Sequence, residues 1–156
     1  LYYLCQLGIF YNPLRGNFVA IDEPETGLHP AAISAVLLIV LDLLKRGYRV
    51  CLSTHSPHVL DVVWALQTLK HEGAASDRVL QVFGARRNAQ TRSVASSALK
   101  KEYRVHYFDV ETGKTQEISS LNPGSPNAVE AGWGGLTDLS GQAADTIAKV
   151  LAESDS

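Results

Sequence analysis

The chain has 156 residues, of which 46% are hydrophobic and 19% charged, the composition of an ordinary globular domain with a real core. The formal net charge of −2 excludes a global positive field of the kind that attracts nucleic acid. Two distant cysteines, Cys5 and Cys51, exclude a disulfide framework and predict two reduced, buried thiols in a cytoplasmic protein. We see no signal peptide and no apolar segment long enough to cross a bilayer, so no membrane partner is expected.

The first elements in chain order are a predicted helix end and a predicted buried strand. Residues 1–11 are mostly apolar or aromatic and are expected to form the end of a helix that stops at Pro13. Phe18–Ile21 is a continuous apolar run, which is typical of a strand buried on both faces. Two acids, Asp22 and Glu23, follow it directly.

A helix and a second strand complete a crossover unit. After a turn, Pro30 suits the first position of a helix, and apolar residues then recur at helical spacing as far as Leu44. Gly47 is a natural cap for the end of this helix. The next run, Arg49–Ser53, predicts a second short buried strand. A strand–helix–strand unit of this kind places its two strands parallel, with the helix on one face of the sheet.

Beyond the crossover unit the pattern predicts a helix, a strand and a basic loop. The helix starts at Pro57 and runs to about Lys70, and Val79–Phe83 reads as a third strand. Residues 85–101 carry little apolar periodicity and no acid, so we expect an exposed loop. Its five basic residues are Arg86, Arg87, Arg92, Lys100 and Lys101.

The C-terminal part is expected to add a hairpin and a last helix. Residues 103–110 and 116–121 predict two strands joined by a tight turn, and residues 122–135 have the composition of a loop. Apolar residues at helical spacing predict a last helix from about 141 to 152. The predicted organisation is an α/β portion, a basic loop, and a hairpin with a C-terminal helix on the same domain, over residues 1–84, 85–102 and 103–156.

Chemically useful residues follow both strands of the crossover unit. Because parallel strands end at the same edge of a sheet, Asp22 and Glu23 should lie beside Thr54 and His55. Phosphoryl transfer from ATP needs Mg²⁺, a group that orients the attacking water, and donors for the developing charge. One carboxylate suits Mg²⁺, a second can polarise the water, and an imidazole can reach the γ-phosphate.

Three motifs in this part of the chain resemble those of one ATPase superfamily. Phe18–Glu25 resembles the Walker B strand of ABC-type ATPases, and Thr26–Pro30 is similar to the D-loop of their soluble RecF-like, OLD-like and SMC-like branch. Ser53–Pro57 resembles the switch loop, or H-loop. The resemblance covers residues 1 to about 70. It implies an α/β fold, namely the C-terminal half of a P-loop NTPase-like parallel sheet flanked by helices.

The resemblance also implies roles for individual residues. Asp22 would support Mg²⁺, mainly through water, Glu23 would be the catalytic glutamate, and His55 would be the γ-phosphate switch. Further nucleotide-binding candidates, which would also meet a second ATPase head in an ATP-sandwiched dimer, are Thr26, Gly27 and His29. For His29, a helix-capping role is favoured slightly over a nucleotide contact, and Glu25 is interpreted as a turn residue without a catalytic role.

Two motifs of the superfamily have no match in the chain. The phosphate-binding Walker A loop, Gly-x-x-x-x-Gly-Lys-[Ser/Thr], is absent, because Gly113–Thr115 imitates only its end and lies in the predicted hairpin. Leu139–Gln142 resembles the signature loop but lacks one glycine and lies downstream of its usual place. Since the sequence also contains no Met, we expect a C-terminal portion of a longer polypeptide, inactive without its N-terminal half.

The sequence leaves three functions open. The favoured one is ATP hydrolysis by a soluble ABC-type ATPase in DNA-associated processes or phage defence, with DNA or an effector protein as partner. The second is a nucleotide-sensing module that controls an effector without significant turnover. The third, a transporter nucleotide-binding domain, is disfavoured by the form of the D-loop.

Overall fold

A computed structural model describes residues 10–11, 17–137 and 146–147 of the chain. The chain divides into two compact units, Leu1–Tyr103 and Arg104–Ser156. It is a mixed α/β structure with a small parallel sheet and flanking helices. None of the helices in the described ranges combines the length and the apolar character that a bilayer-spanning helix needs.

The sheet of the first unit places three strands in the order β1-β2-β3. The strands are β1 (Phe10–Tyr11), β2 (Phe18–Ile21) and β3 (Arg49–Leu52). β1 pairs antiparallel with β2, whereas β2 and β3 are parallel, with Ile21 opposite Leu52. The parallel pairing expected of the crossover unit is therefore present.

Helix α1 (Pro30–Lys45) connects β2 to β3. Pro30 stands at its start and Lys45 in its last turn, where a positive charge complements the helix dipole. Gly47 follows with a φ of 91°, a backbone conformation that glycine adopts without the clash of a Cβ. The buried side of α1 includes Ile33, Leu37 and Leu41.

Three further helices form the main core with α1: two of them contact α1, and the third packs against those two. They are α2 (Pro57–His71), α3 (Ser76–Val82) and α4 (Ala89–Ala98). Leu66 and Leu80 are each 1% exposed and belong to this cluster. Tyr103 packs at its edge, where its hydroxyl donates to the Ala98 carbonyl oxygen at 2.8 Å, and burial raises the pKa of that hydroxyl.

The strand predicted over Val79–Phe83 is wrong, because most of this run belongs to helix α3. Val79, Leu80 and Phe83 are buried, whereas Gln81 and Val82 are exposed. This spacing matches one face of a helix rather than the alternation of a strand. The short apolar run is ambiguous between the two structures, and the packing against α4 and α2 determines the result.

The basic loop predicted over 85–102 is also wrong, because residues 89–98 form helix α4. Asn88 and Thr91 form a reciprocal capping box: the Asn88 side chain accepts from Thr91 N at 2.9 Å, and Thr91 Oγ1 accepts from Asn88 N at 3.1 Å. The buried face of α4 is narrow and consists of Val94, Ala95 and Ala98. The small size of its alanines explains why the apolar periodicity is weak.

Two expectations for the first strands need correction. Phe10 and Tyr11 form a strand rather than a helix end, and residues 1–9 of that predicted helix lie outside the described ranges. β3 is not buried on both faces, since Val50 and Leu52 pack on the core while the alternate positions are exposed. Cys51 is accordingly an exposed free thiol, and Cys5 lies outside the described residues.

The second unit contains the predicted hairpin with shorter strands, β4 (His106–Phe108) and β5 (Thr115–Glu117), which pair antiparallel. The region predicted as a loop over 122–135 includes a short helix, α5 (Ala128–Ala131). The buried Trp133 donates from Nε1 to the Leu121 carbonyl oxygen at 2.9 Å. The last helix, predicted over 141–152, lies outside the described residues except for 146–147, which are helical.

Candidate functional site

The two parallel strands end at one edge of the sheet, and their hydrogen bonding continues one step past β2. Ser53 N donates to the Ile21 carbonyl oxygen at 3.0 Å, and Glu23 N donates to the Ser53 carbonyl oxygen at 3.2 Å. Two segments therefore lie side by side at this edge. We call residues 22–29 the acidic turn and residues 53–56 the His55 loop.

The acidic turn and the His55 loop bring a carboxylate and an imidazole together. Glu23 Oε1 lies 3.4 Å from His55 Nε2, and the two side chains are 45% and 83% exposed. The other carboxylate oxygen of Glu23 accepts from Thr26 Oγ1 at 3.1 Å. Glu23 is therefore oriented by one contact from its own turn and by one from the neighbouring loop, while the pair stays open to solvent.

Glu23 also has an unusual backbone. Its φ of 40° lies in the left-handed region, which costs a non-glycine residue about 1 kcal/mol or more. Side chains of a regular strand alternate between faces, and a left-handed residue interrupts that alternation. Asp22 and Glu23 are both exposed at the edge of the sheet, so both carboxylates are available to a ligand there.

Asp22 is held by the end of the neighbouring strand. Its Oδ1 accepts a hydrogen bond from Ser53 Oγ, and the same hydroxyl oxygen accepts from Glu23 N at 3.2 Å. Mg²⁺ is commonly bound by one or two carboxylates together with phosphate oxygens and water. A single exposed carboxylate such as Asp22 fits that role. Within the described ranges no group of three or more His, Cys, Asp or Glu residues is arranged to hold a metal by itself.

Glu25 joins the acidic turn to the His55 loop. Its Oε1 accepts from Thr54 Oγ1 at 2.6 Å and from the backbone N of His55 at 2.8 Å. Glu25 is more buried than Asp22 and Glu23. Its interpretation as a simple turn residue is therefore incomplete. Glu25 is far from Thr54 in the sequence, and the two residues meet only because β2 and β3 pair in parallel.

The remaining candidates shape the acidic turn. Thr26 N and Leu28 N donate to the carbonyl oxygens of Glu23 and Glu25 at 3.0 and 2.9 Å, and Gly27 has a φ of 73°. His29 is the N-cap of α1, where its Nδ1 accepts from Ala31 N at 3.3 Å. The capping alternative for His29 is therefore realised, and its role toward a nucleotide stays a prediction, as do those of Thr26 and Gly27.

Comparison with known proteins gives this edge a context. Residues 1–61 match a protein-family model described as an AAA domain, putative AbiEii toxin, Type IV TA system. The chain is similar to an AAA-type domain. It is also 40% identical over 54 residues to the Old nuclease of Escherichia phage P2, a match that covers 35% of the chain and 9% of that relative. No solved structure matches the chain.

Together these matches show that part of the chain is similar to an AAA domain and to a phage Old nuclease. The matched range 1–61 includes the acidic turn and the His55 loop. Helices α3 and α4 and the whole second unit lie outside it. The chain spans less than a tenth of the length of the phage relative, so the activity and partners of the whole protein are matters for proposal.

Proposed function

We propose that this chain forms the hydrolytic edge of an ATP-hydrolysing head of the AAA/OLD type. The observation that carries the proposal is the 3.4 Å approach of Glu23 Oε1 to His55 Nε2 at the carboxyl ends of two parallel strands. Ligands of α/β sheets bind at this kind of edge. The similarity of residues 1–61 to an AAA domain supports ATP as the ligand.

Each residue of the edge has a distinct task in this proposal. Glu23 accepts a hydrogen bond from the attacking water and orients it. Thr26 Oγ1 donates to the other carboxylate oxygen and holds the side chain in place. His55 presents its exposed imidazole to the γ-phosphate. Asp22, anchored by Ser53, would hold Mg²⁺ mainly through water, and that ion, when bound, neutralises charge on the β- and γ-phosphates.

The proposal needs a phosphate-binding loop, for which the sequence has no match. We propose that an N-terminal half of the same polypeptide supplies it together with the signature loop. The exposed tip of the acidic turn, around Thr26 and Gly27, would then face a second head across the nucleotide. Two heads closed over ATP form the unit that hydrolyses it.

Changing His55 tests the observation on which the proposal rests. In the natural full-length protein, His55→Ala is expected to lower the kcat for ATP hydrolysis by about 100-fold, the typical effect of removing a positioned donor. Steady-state phosphate release measures it. The matched control is His71→Ala, because His71 forms a similarly exposed pair with Glu72 at 3.0 Å at the end of α2. An unchanged kcat for His55→Ala rules out its role.

We further propose that the full-length protein works on DNA or in phage defence. The phage origin of the similar Old nuclease supports a phage-related context. Arg86, Arg87 and Arg92 are exposed near the start of α4. Arg87 and Arg92 share one counter-ion, Asp77, at 3.9 and 3.3 Å, which leaves this surface with an excess of positive charge.

Reversing this charge is expected to weaken DNA binding. Arg86→Glu with Arg87→Glu in the full-length protein should reduce affinity for duplex DNA. The slope of log K against log salt should become shallower by about 1 for each DNA phosphate that the protein no longer neutralises. Fluorescence anisotropy across a salt series measures both. Lys45→Glu with Arg46→Glu at the end of α1 is the control with the same change in net charge. Equal effects of the two pairs would show a nonspecific response to charge and contradict the proposal.

A further inference from the structure

We propose that Glu25 is a positioning residue that holds the imidazole of His55 opposite Glu23. The inference rests on the proposed roles of Glu23 and His55. It extends that proposal by adding a residue that touches neither the nucleotide nor the water. The assignment comes from two hydrogen bonds that the His55 loop donates to one carboxylate oxygen of Glu25 in the acidic turn.

At Thr54 and His55, a single carboxylate holds the middle of the His55 loop. Glu25 Oε1 accepts from His55 N at 2.8 Å and from Thr54 Oγ1 at 2.6 Å. Thr54 Oγ1 in turn accepts from Ser56 N at 3.0 Å, and Ser56 is the N-cap of α2. Glu25 thus determines the path of the chain between β3 and α2, at the residue that carries the imidazole. Hydrogen bonds to a charged acceptor are among the stronger ones.

The imidazole itself depends on that backbone for its position. The His55 side chain is 83% exposed, so little packing restrains it. Glu23, the partner of His55, is held from the other side by Thr26 Oγ1. Glu25 lies between Glu23 and Thr26 in the chain. One short turn therefore sets the position of both chemical groups, Glu23 through Thr26 and His55 through Glu25.

The second carboxylate oxygen of Glu25 supports a positioning role. Glu25 Oε2 is buried and has no hydrogen-bond partner among the described residues. A buried acceptor without a partner is unfavourable for the folded state. The cost of burying that oxygen is offset only through Oε1, so the contacts to Thr54 and His55 are what favour a glutamate at this position. Glutamine retains such an acceptor oxygen without the charge, and alanine removes it.

The test compares Glu25→Ala with Glu25→Gln in the natural full-length protein. Because a misplacement of about 1 Å can cost about 100-fold in rate, Glu25→Ala is expected to lower the kcat of ATP hydrolysis by roughly 10- to 100-fold, with KM for ATP changed by less than about 3-fold. Glu25→Gln should retain most of the wild-type kcat. The control is Glu130→Ala, which removes a carboxylate that bridges Ser120 and Ser125 in the second unit.

Two further measurements keep the inference open to contradiction. Hydrogen exchange of the His55 amide, followed by mass spectrometry, should become at least about 10-fold faster in Glu25→Ala, since that amide loses its acceptor, and this readout requires no ATP turnover. If Glu25→Ala does not fold, Thr54→Val removes one of the two hydrogen bonds that end on Glu25, together with the acceptor of Ser56 N. A smaller fall in kcat is expected, because the bond from His55 N to Glu25 remains.

The outcomes separate this inference from the proposed function. If Glu23→Gln retains the wild-type kcat, the proposed function fails, and the exchange rate of the His55 amide still decides whether Glu25 positions the loop. If Glu23→Gln is inactive but Glu25→Ala retains the wild-type kcat and exchange rate, only the inference about Glu25 is overturned. A fall in kcat that Glu25→Gln does not restore would also contradict it.

Discussion

Glu23→Gln in the natural full-length protein is expected to abolish most ATP hydrolysis while leaving ATP binding intact. The substitution preserves the shape of the side chain but removes the negative charge that polarises the attacking water. Loss of such a group typically costs about 100- to 10,000-fold in rate, and we expect kcat to fall within that range. Phosphate release measures turnover, and a fluorescent ATP analogue measures binding.

The control for Glu23 is Glu72→Gln, because Glu72 is also an exposed partner of a histidine but lies just beyond the end of α2. Glu72→Gln should retain the wild-type kcat. An unchanged rate for Glu23→Gln would mean that Glu23 is not the catalytic acid. If the wild-type protein binds ATP without hydrolysing it, the nucleotide-sensing alternative replaces hydrolysis. A closed dimer that accumulates with ATP in Glu23→Gln would support hydrolysis as the step that separates two heads.

Leu80→Ala is expected to destabilise the protein by about 2–5 kcal/mol, the usual cost of removing a large side chain from a packed core. Leu80 is 1% exposed and lies in the cluster formed by α1, α2, α3 and α4. The truncation leaves a cavity because its neighbours belong to different helices and cannot all move inward. Urea unfolding of the full-length protein, or protease susceptibility of this segment, measures the loss.

The matched control for Leu80 lies in the same helix. Val82 is 38% exposed, and Val82→Ala is expected to cost less than about 1 kcal/mol, as substitutions near the surface usually do. The comparison also tests the helix itself, because a strand buried on both faces would make Val82 as sensitive as Leu80. Equal destabilisation by the two variants would contradict helix α3.

The crossover unit was predictable because each of its parts carries a local signal. The apolar run of β2, the proline at the start of α1 and the glycine after its end all act within a few residues of the structure they determine. Once strand, helix and strand are in order, chain connectivity makes the two strands parallel. The meeting of Glu23 with His55 follows from that topology, which is why the sequence sufficed for it.

The wrong predictions fall where the outcome depends on what packs nearby. Val79–Phe83 has the length and composition of a strand, and only its contacts with neighbouring helices make it helical. The capping box at Asn88 and Thr91 is a sequence signal for α4, but the weak apolar periodicity around it favoured a loop. The exposure of β3 could not be predicted, since a pattern of apolar residues does not show which face of a sheet is covered.

The role of Glu25 was not predictable for a different reason. Its two hydrogen bonds join residues that are 29 and 30 positions apart. They form only when β2 and β3 pair so that the Glu25 side chain, after β2, reaches the loop that follows β3. Composition and periodicity contain no information about such a contact. The residue type is visible in the sequence, but its partners are not.

The left-handed backbone of Glu23 lowers the folding stability at a residue that is proposed to act in catalysis. Glycine or asparagine would adopt a φ of 40° more easily than glutamate does. Selection for thermal stability alone would therefore replace Glu23. Screens for stabilised variants should yield substitutions at this position, and those variants should have lost ATP hydrolysis. The presence of a glutamate in this strained conformation therefore indicates a function for its carboxylate.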